Sequence, residues 1–260
     1  MTWRLGVAGS PIEHSLTPRL HDAALAMAGL EGTSRRVELG AKDKTKLNKV
    51  MRKEFDGLSI TMPLKGFGAE ICDELDEVAT RTQSVNSLLM RDGKLLGAST
   101  DGDGFVNALR GQFDASVEGA HVVVLGAGGA ASAIVDGLVR AGVASVAVHA
   151  RNESKVEALV ARYEHVYDFS LTYRPVDVIV NATPIVGRVE DVAVMQGVGA
   201  DTIAIDITYE PRMSAWRALH ERMGCHSANG LGMLAYQAAL QLQWWWDRPV
   251  DGAKLLKVIS

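Results

Sequence analysis

The sequence predicts an α/β protein, and three observations carry that reading. Residues 121–140 run as an apolar strand, a glycine turn and a helix. The first hundred residues alternate short apolar strands with helical stretches. Further apolar runs at Ala144–His149, Asp177–Val180 and Ile203–Ile207 have the pattern of buried strands. A chain of 260 residues has room for one large or two modest domains.

Composition narrows the function. A hydrophobic share of 47% with 22% charged residues is that of a soluble globular protein. A net charge of −4 provides no basic field, so no nucleic-acid partner is expected. No run of about 18 apolar residues is present, so no membrane span is expected. Cys72 and Cys225 stand far apart, in no metal or redox spacing, which fits a reducing cytoplasm. Met1 leads straight into strand-like residues without a basic-then-apolar leader. The starting expectation is an intracellular enzyme of small molecules.

Taken in order, Arg4–Ala8 reads as a strand. Thr17-Pro18 then reads as a helix start, a capping hydroxyl followed by proline in the first turn, with the helix running to about Gly29. Ser15 and Thr17 precede that N-terminus, where short hydroxyls can bind a carboxylate. The alternative is that Thr17 only caps and Ser15 only makes a turn. Val37–Leu39 reads as a strand and Lys42–Glu54 as a charged surface helix. In Asp56–Lys65, Leu58, Ile60 and Met62 alternate with Ser59 and Thr61, a strand with one apolar and one hydroxyl-bearing face. Lys65 follows at its carboxyl end, where α/β proteins place ligands; the alternative is a solvated surface lysine. Residues 72–82 read as helix plus loop. Ser84–Met90, a turn at Arg91–Lys94 and Leu95–Ala98 read as a hairpin. A helix over Phe105–Gln112 follows, and Asp101 either caps it or pairs with a lysine.

The stretch after Val122–Leu125 fits G-x-G-x-x-A at Gly126, Gly128 and Ala131. The first glycine allows a tight turn and the second a close approach to a pyrophosphate; the small third residue allows close packing. The helix N-terminus beyond it favours phosphate. After the next strand, an enzyme that uses NAD has an acidic residue for the ribose. This chain has Arg151 and no carboxylate until Glu153, which favours a 2′-phosphate and hence NADP. Tyr209 stands at the tip of the Ile203–Ile207 strand and touches substrate or only packs. Met233–Trp246 reads as a long helix with Leu234, Ala238, Leu242 and Trp245 on one face, and Trp244–Trp246 as core and rim packing. His14, His21 and His226 have no ligand spacing, so no metal is expected.

Together these motifs resemble the shikimate dehydrogenase family. Gly9-Ser-Pro-Ile-x-His-Ser-x-Thr-Pro18 is similar to its opening motif, and Gly57-Leu-Ser-Ile-Thr-Met-Pro-Leu-Lys65 to its G-x-N-V-T-x-P-x-K. Val85-Asn-Ser87, Ser99-Thr-Asp-x-x-Gly104 and the glycine turn follow in order. Asn181-Ala-Thr-Pro184, Asp206-x-x-Tyr-x-Pro211 and Gly230-x-Gly-Met-Leu-x-x-Gln237 complete the series. Ser59 and Ser99 stand where the family usually has asparagine, Ser87 replaces threonine and Ser84 replaces glycine.

The resemblance implies two domains. Residues 1–103 with 230–260 form an α/β substrate domain, to which the C-terminal helix returns, and 104–229 form a Rossmann-type NADP domain. It implies interconversion of shikimate and 3-dehydroshikimate by a monomer or homodimer. Lys65 and Asp101 would form the catalytic pair, since the reacting oxygen needs a base in one direction and an acid in the other. Ser15 and Thr17 would hold the carboxylate. Ser59, Thr61, Asn86, Tyr209 and Gln237 would meet the rest of the substrate. Gly126, Ala127, Gly128, Gly129, Ala130, Arg151, Asn152, Thr183, Gly230 and Met233 would hold the cofactor. The serine departures leave open a quinate/shikimate or aminoshikimate dehydrogenase, with NAD as the alternative cofactor. A catalytically silent dinucleotide-binding protein is the reading of another class, and the presence of both Lys65 and Asp101 argues against it.

Overall fold

A computed structural model describes residues 2–169, 175–183 and 197–260. The chain divides into two compact units, Met1–Gly104 with Leu234–Ser260, and Phe105–Met233.

The first unit starts with β1 (Trp3–Gly9), α1 (Thr17–Ala28), β2 (Gly32–Glu38), α2 (Lys44–Glu54) and β3 (Gly57–Ile60). Then come α3 (Lys65–Ile71), β4 (Glu74–Leu75), α4 (Glu77–Thr82), the hairpin β5 (Ser87–Arg91) and β6 (Lys94–Ala98), and α5 (Asp101–Phe113), which starts in this unit and continues into the second from Phe105. The mixed sheet has the order β2-β1-β3-β5-β6-β4. β1 lies parallel to β2 and β3, while β5 runs antiparallel to β3 and β6. Asp92 and Gly93 turn the hairpin with positive φ at both positions, 51° and 77°, the geometry that an Asp-Gly pair favours. Leu47 and Met51, four residues apart on the mostly polar α2, are fully buried with Phe55, Leu58 and Leu88. Burial of each such side chain contributes roughly 1.5–3 kcal/mol.

Several boundaries differ from expectation. Thr17 does not cap α1: the cap position is Leu16, which makes no side-chain bond, and Thr17 is the first helical residue. The second strand starts at Gly32 rather than Val37, because β2 is an edge strand in which Thr33 to Arg36 are polar and no residue is buried, so no apolar run marks it. Met62 is not on an apolar face. The strand ends at Ile60, and Met62 is 61% exposed beyond it. α5 starts at Asp101, four residues before Phe105.

The second unit contains β7 (His121–Leu125), α6 (Gly129–Arg140), β8 (Ser145–His149), α7 (Glu153–Val160), β9 (Val166–Asp168), β10 (Val178–Asn181), β11 (Ile203–Asp206), α8 (Ala215–Arg222) and β12 (His226–Asn229). Its sheet is parallel throughout, in the order β12-β11-β10-β7-β8-β9. The chain enters at the middle, winds to one edge, then returns and winds to the other. Val122 and Val124 face Ile134, Val135 and Leu138. Val123 packs in the opposite layer with Ile179, Ala204 and Trp216. Both faces of β7 are therefore covered, which explains its unbroken apolar run.

α9 (Leu231–Trp246) starts in the second unit and continues into the first, followed by α10 (Gly252–Ile259). Trp245 and Trp246 are buried and Trp244 is half-buried. The ring of Trp245 lies 5.4 Å from that of His21. Arg91 donates to the carbonyls of Trp244 and Trp245, both at 3.2 Å, and so satisfies the end of α9. Among the described residues, no helix is long and apolar enough to cross a membrane.

Candidate active site

In the first unit, strand ends and helix starts bring four expected residues together. Lys65 is the first residue of α3 and Asp101 the first of α5. Asn86 immediately precedes β5. Lys65 Nζ donates to Asp101 Oδ2 at 2.5 Å; the lysine is half-buried and the aspartate buried. The other oxygen, Asp101 Oδ1, accepts from Asn86 Nδ2 at 2.9 Å. That amide nitrogen also lies 2.9 Å from Thr100 Oγ1 and from Gln237 Oε1. The Thr100 hydroxyl donates to the Gln237 carbonyl at 3.0 Å, so it accepts from Asn86. Asn86 Oδ1 accepts the Thr100 N–H at 2.9 Å. Asp101 therefore orients Lys65 instead of capping α5, and Asn86 orients Asp101.

The arrangement keeps capacity for a ligand. An ammonium has three N–H groups, and Lys65 uses one on Asp101. Gln237 Nε2 gives one N–H to the Leu234 carbonyl at 2.9 Å and has a second. Thr61 is half-buried just beyond β3, four residues before Lys65. Ser15 Oγ accepts the Thr17 N–H at 3.3 Å, which leaves the Ser15 proton to donate elsewhere.

Ser59 is turned away from this group. It is buried, and its hydroxyl donates to Gln241 Oε1 at 2.7 Å. It then accepts from His21 Nε2 at 3.3 Å, and His21 Nδ1 meets Ser34 Oγ at 2.9 Å. Burial pushes the His21 pKa down to about 4, against a smaller upward pull from hydrogen bonding to Gln241. The neutral imidazole is thus part of the core. Gln241 also donates to the Asn86 carbonyl at 3.2 Å. Thr100 and Gln241 were not expected. The signal for Gln241 was a second amide four residues after Gln237, on the same face of a largely apolar helix.

In the second unit the glycine turn follows β7, at the point where the strand order reverses. Gly126 has φ +118°, and a Cβ there would lie 2.8 Å from the Ala182 carbonyl oxygen. Gly128 is different: a Cβ would meet nothing within 4 Å. Its backbone borders open space at the start of α6, where Gly129 and Ala130 present N–H groups without intrahelical partners. This is a fitting seat for a pyrophosphate. Ala127 is half-buried against the core. Arg151 is exposed two residues beyond β8, and Asn152 caps α7 by accepting from the Lys155 N–H. Thr183 donates to Asn181 Oδ1 through its hydroxyl at 2.6 Å. Pro184 lies outside the described residues. Gly230 passes so close to the Ile207 carbonyl that no side chain fits. Met233 is buried in the core of this unit. Tyr209 is half-buried here, in a different unit from Lys65.

Comparison with known proteins follows the same division. Residues 7–88 match the family described as the shikimate dehydrogenase substrate binding domain. Residues 108–212 match that described as shikimate / quinate 5-dehydrogenase. The shikimate dehydrogenase (NADP(+)) of Staphylococcus aureus (strain MRSA252) is 30% identical over 253 residues, covering 95% of this chain and 94% of its own. The shikimate 5-dehydrogenase of Thermus thermophilus, solved with NADP(H) and shikimate, is similar with a TM-score of 0.88 and 29% identity over 98% of each chain. The 5-ketofructose reductase of Gluconobacter sp. strain CHM43 is similar with a TM-score of 0.85 and 27% identity, over 100% of this chain and 98% of that one.

Proposed function

The chain belongs to the shikimate dehydrogenase family, and from that premise we propose that it interconverts 3-dehydroshikimate and shikimate with NADP. The observation that carries the reading is the Lys65–Asp101 pair clasped by Asn86. The relatives' names support the cofactor and the substrate. We assign residues 1–103 with 230–260 to substrate and 104–229 to NADP. The division into two compact units supports this. The free cysteines Cys72 and Cys225 support a cytoplasmic setting.

Bound NADP supplies or takes up the hydride. The residues of this chain manage the proton and the fit. In reduction, Lys65 gives a proton to the oxygen of the reacting carbon; in oxidation, its neutral amine takes that proton back. Asp101 fixes the direction of Nζ. Ser15 and Thr17 hold the carboxylate at the start of α1. Thr61, Asn86, Gln237 and Tyr209 hold the remaining polar groups. Such hydroxyl-reading sites reject analogues without hydroxyls, since their own polar groups would be left unpaired. Gly126 to Ala130 seat the pyrophosphate and Arg151, with Asn152, the 2′-phosphate. Thr183, Gly230 and Met233 line the nicotinamide end.

Ser59 favours a second reading within the family. Its hydroxyl is engaged with Gln241 and His21, so one contact to the ring is given up, which supports a site that takes quinate as well. Absorbance of the reduced nicotinamide, with shikimate or quinate and NADP or NAD, tests both readings. Turnover with shikimate and NADP alone supports the first. Turnover with quinate supports the second. No turnover in any combination would overturn both.

A further inference from the structure

Three side chains on one face of the edge strand β2 each hold a different point of the β1–α1 segment. Residues alternate faces along a strand, so Ser34, Arg36 and Glu38 project the same way. Ser34 Oγ meets His21 Nδ1 at 2.9 Å. The Arg36 guanidinium donates to the Ser15 carbonyl through Nε at 3.0 Å and Nη2 at 2.6 Å. The Glu38 carboxylate accepts the Ile12 N–H at 3.2 Å. Residues 10–16 lie between β1 and α1 and form no helix or strand themselves, so these clasps set their shape.

We infer that Arg36 is a specificity-determining positioning residue: it fixes the Ser15 turn and sets a permanent positive charge beside the hydroxyls that meet the substrate's carboxylate. This rests on the activity proposed above. A guanidinium keeps its charge throughout the working pH range. Arg36 is exposed and uses two of its five N–H groups on the Ser15 carbonyl. Glu38 is the other charge on this face, and its carboxylate is engaged by Ile12. Arg35 projects to the opposite face and pairs with Glu54. Arg36 is therefore the charge of this face that is joined to Ser15, and it favours an anionic ring substrate over an uncharged one of the same shape.

Steady-state kinetics of Arg36→Met and Arg36→Lys with shikimate and with its methyl ester test this. Arg36→Met raises the KM for shikimate by about five-fold or more, with kcat within about two-fold. The KM for the ester moves by less than about two-fold, so the preference for acid over ester shrinks. Arg36→Lys keeps the charge, loses the fork and restores part of that preference. Thermal unfolding of each variant separates a fold defect from a binding one. If Arg36→Met does not fold, an intermediate preference in Arg36→Lys supports the inference and wild-type behaviour overturns it. An equal rise in KM for acid and ester, or no change, would also overturn it. Absence of shikimate turnover by the wild type would overturn the activity and this assignment together. Wild-type turnover with an unaffected Arg36→Met would overturn this assignment alone.

Discussion

A Cβ on Gly104 would lie 2.6 Å from the backbone nitrogen of Gln237. α5 and α9 therefore cross at a bare glycine. That approach lets the Thr100 hydroxyl reach the Gln237 carbonyl and the Gln237 amide reach Asn86. The glycine that ends the Ser99–Gly104 motif thus acts on the site through a helix crossing.

Gly104→Ala is expected to push the two helices apart. Overpacking of this kind costs ~1–3 kcal/mol. As Gln237 shifts, kcat/KM falls by about ten-fold or more. Thermal unfolding and steady-state kinetics check both effects. Wild-type values in both would show that the crossing has slack.

Asp101→Asn removes the charge that directs Lys65 Nζ but keeps a side chain of the same size. The expected loss in kcat is about 100-fold or more, with a smaller change in KM. Lys65→Met should lose at least as much. An unaltered kcat in either variant would remove that residue from the proton-handling pair.

Arg151→Ala tests the cofactor assignment. A charged hydrogen bond to phosphate contributes ~1.5–3 kcal/mol, so the KM for NADP should rise roughly 10- to 150-fold. The KM for NAD, which has no 2′-phosphate, should stay within about two-fold. Parallel changes for both cofactors would place the 2′-phosphate elsewhere.

His21 makes the fold acid-sensitive. Its pKa is about 4 when folded and near 6.5 when unfolded, so between these values the unfolded chain binds the extra proton. The associated stability is complete above about pH 6.5 and is lost as pH falls toward 4. It amounts to roughly 2 kcal/mol by pH 5 and about 3 kcal/mol in full. Denaturant unfolding at pH 7.5 and pH 5, compared with the same pair for His21→Gln, isolates this term. An equal pH dependence in the variant would show that other groups cause it.

Cys72 should resist alkylation. Burial, with a further push from Asp73, raises its pKa to about 12, and its Sγ donates to the Gly68 carbonyl. At pH 8 its labelling by iodoacetamide should be roughly 100-fold slower than that of a free thiol. Rapid labelling would show that the segment opens.

How legible each part was depended on how it is buried. β7 could be read because both of its faces are covered, which requires an unbroken apolar run. β2 could not, since an edge strand carrying Thr33, Ser34, Arg35 and Arg36 has no such run. β12, an edge strand with His226 and Ser227, escaped for the same reason, and α10 escaped because it is only eight residues long. At the site, Lys65 and Asp101 each had a bland alternative when read singly; the resemblance paired them, and in the structure they approach to 2.5 Å. Ser59 shows the limit of alternation. Its place beside Thr61 suggested a shared role, but the hydroxyl found Gln241, which is 182 residues away.

Gln237 stands 151 residues downstream of Asn86, with the whole second unit encoded between them. A ribosome adding ~5–20 residues per second needs roughly 8–30 s to cover that gap. Once residue 131 has been added, the nascent chain contains Lys65, Asp101 and the glycine turn, but still lacks Trp245, which packs against His21, and the glutamine that braces Asn86. Catalytic competence thus comes late in synthesis, and a chain interrupted before residue 230 would hold most of the site's chemistry in a form that cannot use it.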